Sequence, residues 1–195
     1  MATTNGPAAG IAARDIALRD GRTVHLRAVS PADEAEVLQT FERMSDEARY
    51  MRFMRVVRTP DLQRLREALA SFPEAGIGIV ATVPAADGID IVGSAIAVFT
   101  PDRASCEFAI TVASEFGGAG LATRLMTTLI DEAKRRGQKE MEGIVLTQNQ
   151  SMLRLARRLG FRIESEPGDP TVRVCRMALD SPSGPPARGD ERVGA

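Results

Sequence analysis

The chain is poor in the residues that build metal centres. It has one histidine and two cysteines among 195 residues. Cys106 and Cys175 have no metal-ligand spacing between them, and His25 alone cannot complete a zinc site with them. Charge of one sign is also missing: Lys and Arg number 25 against 26 Asp and Glu. Non-specific nucleic-acid binding needs a basic excess that is not here. No apolar run reaches the roughly 18 residues of a membrane-spanning helix. The opening MATTNGPAAGIAARD lacks the basic start and sustained apolar core of a secretory leader. The expectation is a soluble chain in the reducing cytoplasm, with no metal, no membrane and no nucleic acid as partner. Roughly 160 folded residues bury about 70% of their unfolded surface, enough to hold together without disulfide or metal staples.

What is present is a period that switches. Residues 1–20 and 181–195 have no clear period and are rich in small residues, or in Pro, Gly and charge. Both are expected to be disordered tails around one domain over 21–180. TVHLRA (Thr23 to Ala28) alternates and predicts a strand. Ser30-Pro31 opens a helix striped by Val37, Leu38, Phe41 and Met44. Pro60 opens another through Leu62, Leu65 and Leu69. Three strands then follow without room for helices between them: Gly76 to Val83, Ile89 to Phe99 and Ser105 to Ala113. Asp87-Gly88 is the hairpin signal between the first two. They predict an antiparallel meander. Leu121, Leu125, Met126, Leu129, Ile130 and Ala133 recur at helical spacing up to Gly137. A strand at Glu142 to Thr147, a helix ending at Gly160, and strands at Phe161 to Glu164 and Thr171 to Leu179 complete the chain. The fold class is α/β, with a mixed, mostly antiparallel sheet and one βαβ crossover.

That crossover passes through EFGGAGLATRL (Glu115 to Leu125), where Gly117, Gly118 and Gly120 stand within four positions. The first turn of a helix has unpaired N–H groups and a partial positive charge. A glycine-rich approach lets phosphates reach those donors without meeting a Cβ. A P-loop fails here, because no Lys-Ser/Thr pair follows. A dinucleotide fingerprint is a near miss, with Thr123 at its third small position and three antiparallel strands before it. Coenzyme A remains, as does a tight turn with no ligand.

On these residues the chain resembles the GNAT family of acetyl-coenzyme-A-dependent N-acetyltransferases. That family's cradle runs Q/R-x-x-G-x-G/A after a strand and before a long helix. The matching stretch is Gly117, Gly118, Ala119, Gly120, Leu121 and Ala122. Gly117 replaces the usual Gln or Arg, and Ala119 replaces a frequent Arg; both changes remove side chains and keep the backbone. The resemblance spans about 23 to 179. It implies helices on both faces of a sheet splayed at its middle strands, with acetyl-CoA as cosubstrate. The diphosphate would lie on the amides of Gly118 to Thr123. The backbone of Ile110 and Val112 would hold the pantetheine arm and the acetyl carbonyl, helped by a bulge in their strand. Asn149 matches an asparagine that contacts the arm, and it equally reads as a helix N-cap. MSDEARYMRF (Met44 to Phe53) and MLRLARRLGF (Met152 to Phe161) further resemble the subgroup containing bacterial protein-lysine acetyltransferases. A protein lysine is therefore the expected acceptor; a small amine or antibiotic, and a non-catalytic acyl-CoA sensor, are the alternatives. A monomer or homodimer is expected.

Acetyl transfer needs a neutral amine. A lysine amine near pKa 10.4 is neutral only about once in several thousand at pH 7, so a positioned base helps. Glu107 is the candidate, on the strand face shared with Ala109 and Thr111. Its other reading is a solvent-facing strand glutamate; the resemblance favours the base. Many family members protonate the leaving thiolate with a tyrosine, but that position is Ala156 here. Cys106 lies on the face opposite Glu107 and His25 on a distant strand, so direct transfer is expected rather than an acyl-enzyme. RYMRFMRVVR (Arg49 to Arg58) carries arginine every third residue. It reads as a helix with a solvated arginine face, or as a wall of the acceptor site or a contact to coenzyme phosphates.

Overall fold

A computed structural model describes residues 11–86 and 88–179. The expected tail segments 1–10 and 180–195, and Asp87 of the hairpin signal, lie outside the described residues. Within them the strands are β1 (Arg14–Ala17), β2 (Thr23–Ala28), β3 (Gly76–Ala85), β4 (Gly88–Phe99), β5 (Ser105–Val112), β6 (Glu140–Leu146), β7 (Arg162–Glu166) and β8 (Asp169–Ala178). The helices are α1 (Glu34–Arg43), α2 (Asp46–Phe53), α3 (Leu62–Ser71), α4 (Leu121–Arg135) and α5 (Gln150–Leu159). The strands form one open sheet in the order β1-β2-β3-β4-β5-β6-β8-β7. Only β5 and β6 run parallel, as a crossover through α4 requires.

The core forms where α4 meets the meander. Leu121, Leu125, Met126 and Leu129 are fully buried. Each contributes roughly 1.5–3 kcal/mol by leaving water. The close approach depends on Gly93 of β4, where a Cβ would stand 2.9 Å from Leu125 Cδ1. Before α1, Pro31–Asp33 forms a 3₁₀ turn, and the Asp33 carboxylate accepts from the Ser30 amide at 2.8 Å. Asp33 is buried and holds Arg27 of β2 through contacts of 2.6 and 2.8 Å.

Four expectations need correction. A tail is expected to run to residue 20, but Arg14–Ala17 is an edge strand paired with β2. Four residues are too short for a visible alternation, and its burial comes from Ile16 and Leu18 packing on the core. The helix over Arg49 to Arg58 ends at Phe53, because Met54 adopts the left-handed conformation (φ 54) and Val56 is 78% exposed. The strand after α4 begins at Glu140 rather than Glu142. The bulge is not in β5, whose register with β4 is unbroken from Cys106 to Val112. It lies between β3 and β4, where Ala81 faces Gly93 and Thr82 faces Ile91, leaving Val92 as the extra residue.

Candidate active site

The splay between β5 and β6 has a local cause. Their pairing stops after Glu107 faces Glu142. At the next pair, the Phe108 ring occupies the space a side chain at Gly143 would fill, 2.6 Å from its Cβ position. Phe161, just after α5, packs edge-on against Phe108 at 5.1 Å. The pairing of the two strands ends at this aromatic pair, and a cavity of about 720 Å³ opens beside the second half of β5, walled by the glycine loop, α2 and α5.

The glycine loop forms one wall of that cavity. Gly118 (φ 75) and Gly120 (φ 92) are both left-handed, a conformation that costs an L-residue roughly 1–2 kcal/mol. A Cβ at Gly118 would meet nothing within 4 Å, so its backbone faces open space. Not every amide of the loop is available. Gly117 donates to Ser114 O at 2.9 Å and Ala119 to Phe116 O at 3.4 Å. Ala119 is also buried. The donors left are Gly118 and Gly120, together with Leu121, Ala122 and Thr123 in the first turn of α4, where no intrahelical acceptor exists. These five positions all line the cavity. The expected cradle is thereby narrowed, with Gly117 and Ala119 shaping it rather than donating. The arrangement suits a diphosphate, whose oxygens need several converging N–H donors and no intervening side chain.

Ile110, Val112 and Asn149 line the same cavity. Asn149 also caps α5, its Oδ1 accepting from the Met152 amide at 3.1 Å. Its side-chain NH₂ stays available as a donor, so the two sequence readings are compatible. Glu107 is exposed and is not part of the cavity wall. It lies three residues, about 10 Å, before Ile110 along the strand. Arg52 connects the two regions. It lines the cavity from α2; burial pushes its pKa down, and the charge of Glu107 opposes that shift. Arg49, by contrast, is structural: it donates to the carbonyls of Phe41 and Glu42 at the end of α1. Arg49 therefore does not belong to a solvated arginine face: its side chain is mostly buried against the end of α1.

Neither cysteine is placed for nucleophilic work. Both are buried, and burial pushes Cys106 to a pKa of about 12 and Cys175 to about 11, with Arg157 opposing the latter shift. Ala156 is fully buried on the core-facing side of α5 and offers no proton. Among the described residues no group of His, Cys, Asp and Glu could hold a metal ion, and no helix is long and apolar enough to cross a membrane.

Sequence reasoning missed Arg19. It follows β1, in the segment read as a tail, and it lines the cavity. Its amide donates to Ala119 O at 3.0 Å. An Ile-x-Leu alternation at Ile16 and Leu18 was the only signal, and it is too short to distinguish from chance.

Known proteins share this fold. The acetyltransferase (GNAT) domain family matches residues 23–162. Over 162 residues the chain is 30% identical to Acetyltransferase PA5475 of Pseudomonas aeruginosa, spanning 83% of this chain and 87% of that protein. The GNAT domain of S. lividans PAT superposes with a TM-score of 0.76 at 21% identity, over 85% of this chain and 96% of that one. The protein yncA of Salmonella typhimurium, solved with its cofactor acetyl-CoA, superposes at 0.61 with 22% identity, over 85% and 99%. At such identities the two structures speak for the fold; the family match and the Pseudomonas relative speak for descent. The chain belongs to the GNAT acetyltransferase family.

Proposed function

We propose that this enzyme moves an acetyl group from acetyl-CoA to the primary amine of a protein lysine, by direct transfer with both substrates bound. The observation that supports coenzyme binding is the set of free amides at the mouth of α4, open to the cavity beside the second half of β5. Gly118, Gly120, Leu121, Ala122 and Thr123 would hold the diphosphate. Backbone groups of Ile110 and Val112, with Asn149, would orient the arm. The coenzyme supplies the activated thioester; the protein supplies position and a proton acceptor.

Glu107 is that acceptor in this reading. Its exposure leaves it in contact with water, so the amine proton reaches it through a water bridge. As the amide bond forms, the carbon–sulfur bond breaks and the thiolate leaves. A free thiol has a pKa near 8.5, so departure without the tyrosine is feasible at neutral pH. The lysine assignment rests on the subgroup resemblance of Met44 to Phe53 and Met152 to Phe161.

Thiol release, measured over lysine peptides, small amines and aminoglycosides, tests the reading. Glu107→Gln should lower kcat by about a hundredfold or more in a folded protein. Release with small amines alone would reassign the acceptor. Full activity of Glu107→Gln would remove it as the base. The buried alanine at position 156 motivates a second reading, an acyl-CoA sensor, which binding without release from any amine would favour.

A further inference from the structure

The cradle of this chain has lost both long side chains that its family's motif supplies, at Gly117 and Ala119. An anion of this charge held by amides alone would lack a full positive charge beside the loop. The fold brings one from elsewhere. The turn between β1 and β2 folds over the glycine loop and is fastened at three points. The Arg19 amide donates to Ala119 O at 3.0 Å, Arg22 Nη2 donates to Glu115 O at 2.8 Å, and the Arg22 guanidinium stacks 3.8 Å from the centre of the Phe116 ring.

The two arginines are used differently. Arg22 is occupied, holding Asp20 at 2.6 Å as well as the loop. The carboxylate nearest to Arg19 in sequence is therefore taken. Arg19 lies with its Nε 3.3 Å from the Cβ position of Gly120, directly at the mouth of α4. Its guanidinium has no hydrogen-bond acceptor among the described residues, and its side chain is exposed to the cavity it lines.

We propose that Arg19 is the cation of the diphosphate subsite, delivered by the β1–β2 turn in place of the side chains missing from the loop. This rests on the coenzyme A reading above. A planar guanidinium suits two phosphate oxygens at once, and its backbone anchor to Ala119 sets its height over the loop. Arg154 and Arg158 of α5 also line the cavity, so the contact must be assigned to a particular phosphate.

Calorimetric titration of the full chain with coenzyme A, 3′-dephospho-coenzyme A and pantetheine makes that assignment. Arg19→Ala should weaken coenzyme A and dephospho-coenzyme A equally, by about tenfold, and leave pantetheine unchanged. Arg19→Lys should recover part of the loss, and Arg19→Glu should exceed it. The backbone bond to Ala119 survives all three changes, and far-ultraviolet circular dichroism checks the fold. Equal coenzyme A affinity in wild type and a folded Arg19→Ala overturns the proposal. So does a loss confined to coenzyme A, which would place Arg19 on the 3′-phosphate. A wild-type chain that binds none of the three overturns the coenzyme reading itself.

Discussion

At the scale of single residues, one glycine and two cysteines make the sharpest statements. Gly118 needs its left-handed backbone but has open space around it, so Gly118→Ala isolates the conformational cost. Urea unfolding should show a loss of about 1–2 kcal/mol. Coenzyme affinity should fall as well, because the loop carries the donors. A change within 0.3 kcal/mol, about the noise of such comparisons, would mean the loop tolerates another conformation. The cysteines make a negative prediction. With pKa values of about 12 and about 11, and no exposure, neither should react with a thiol reagent in the native state at pH 8. Counting released chromophore before and after denaturation should give none, then two. Much of this was legible in advance. Cys106 reads as having no histidine within reach, and the glycines read as a turn stripped of side chains before a helix. The division of the loop's amides was not legible, since an amide's partner depends on where Ser114 and Phe116 turn their carbonyls.

At the scale of elements, the sheet depends on junctions that charges and rings hold together. Asp33 starts α1 and ties it to β2. Burial alone would raise its pKa, but the hydrogen bonds from Arg27 and the Ser30 amide outweigh it and hold the carboxyl below the usual range. A lowered folded-state pKa contributes stability above the unfolded value of about 3.9 and loses it as pH falls through the folded value. Asp33→Asn should therefore cost about 3 kcal/mol at pH 7, by leaving Arg27 part-buried without its counter-charge. The deficit against wild type should shrink below pH 4. Denaturant melts at pH 3, 5 and 7 check it; a deficit independent of pH would indicate lost packing instead. The helices and the meander were readable from period and turn residues, because each buries a face over ten or so positions. The short strand Arg14–Ala17, the end of α2 at Phe53 and the bulge at Val92 were not. The strand and the bulge are decided by their pairing partners, β2 for the one and Ala81 and Thr82 for the other, and the helix end by a left-handed turn at Met54 that its side chain does not announce.

At the scale of the whole molecule, three separate pieces of chain meet at one cavity. The β1–β2 turn brings Arg19, the loop and first turn of α4 bring amides, and the second half of β5 faces them across the space. Glu107 stands outside that cavity wall, on the paired half of β5, with Arg52 between the two regions. Amine and coenzyme would thus enter from different directions and meet near Ile110. The most direct test is a crystal structure with coenzyme A bound. It should show diphosphate oxygens accepting from the amides of Gly118, Gly120 and the first turn of α4, with the thiol between β5 and β6. Coenzyme bound elsewhere, with that helix mouth left to water or filled by the protein's own side chains, would contradict the account.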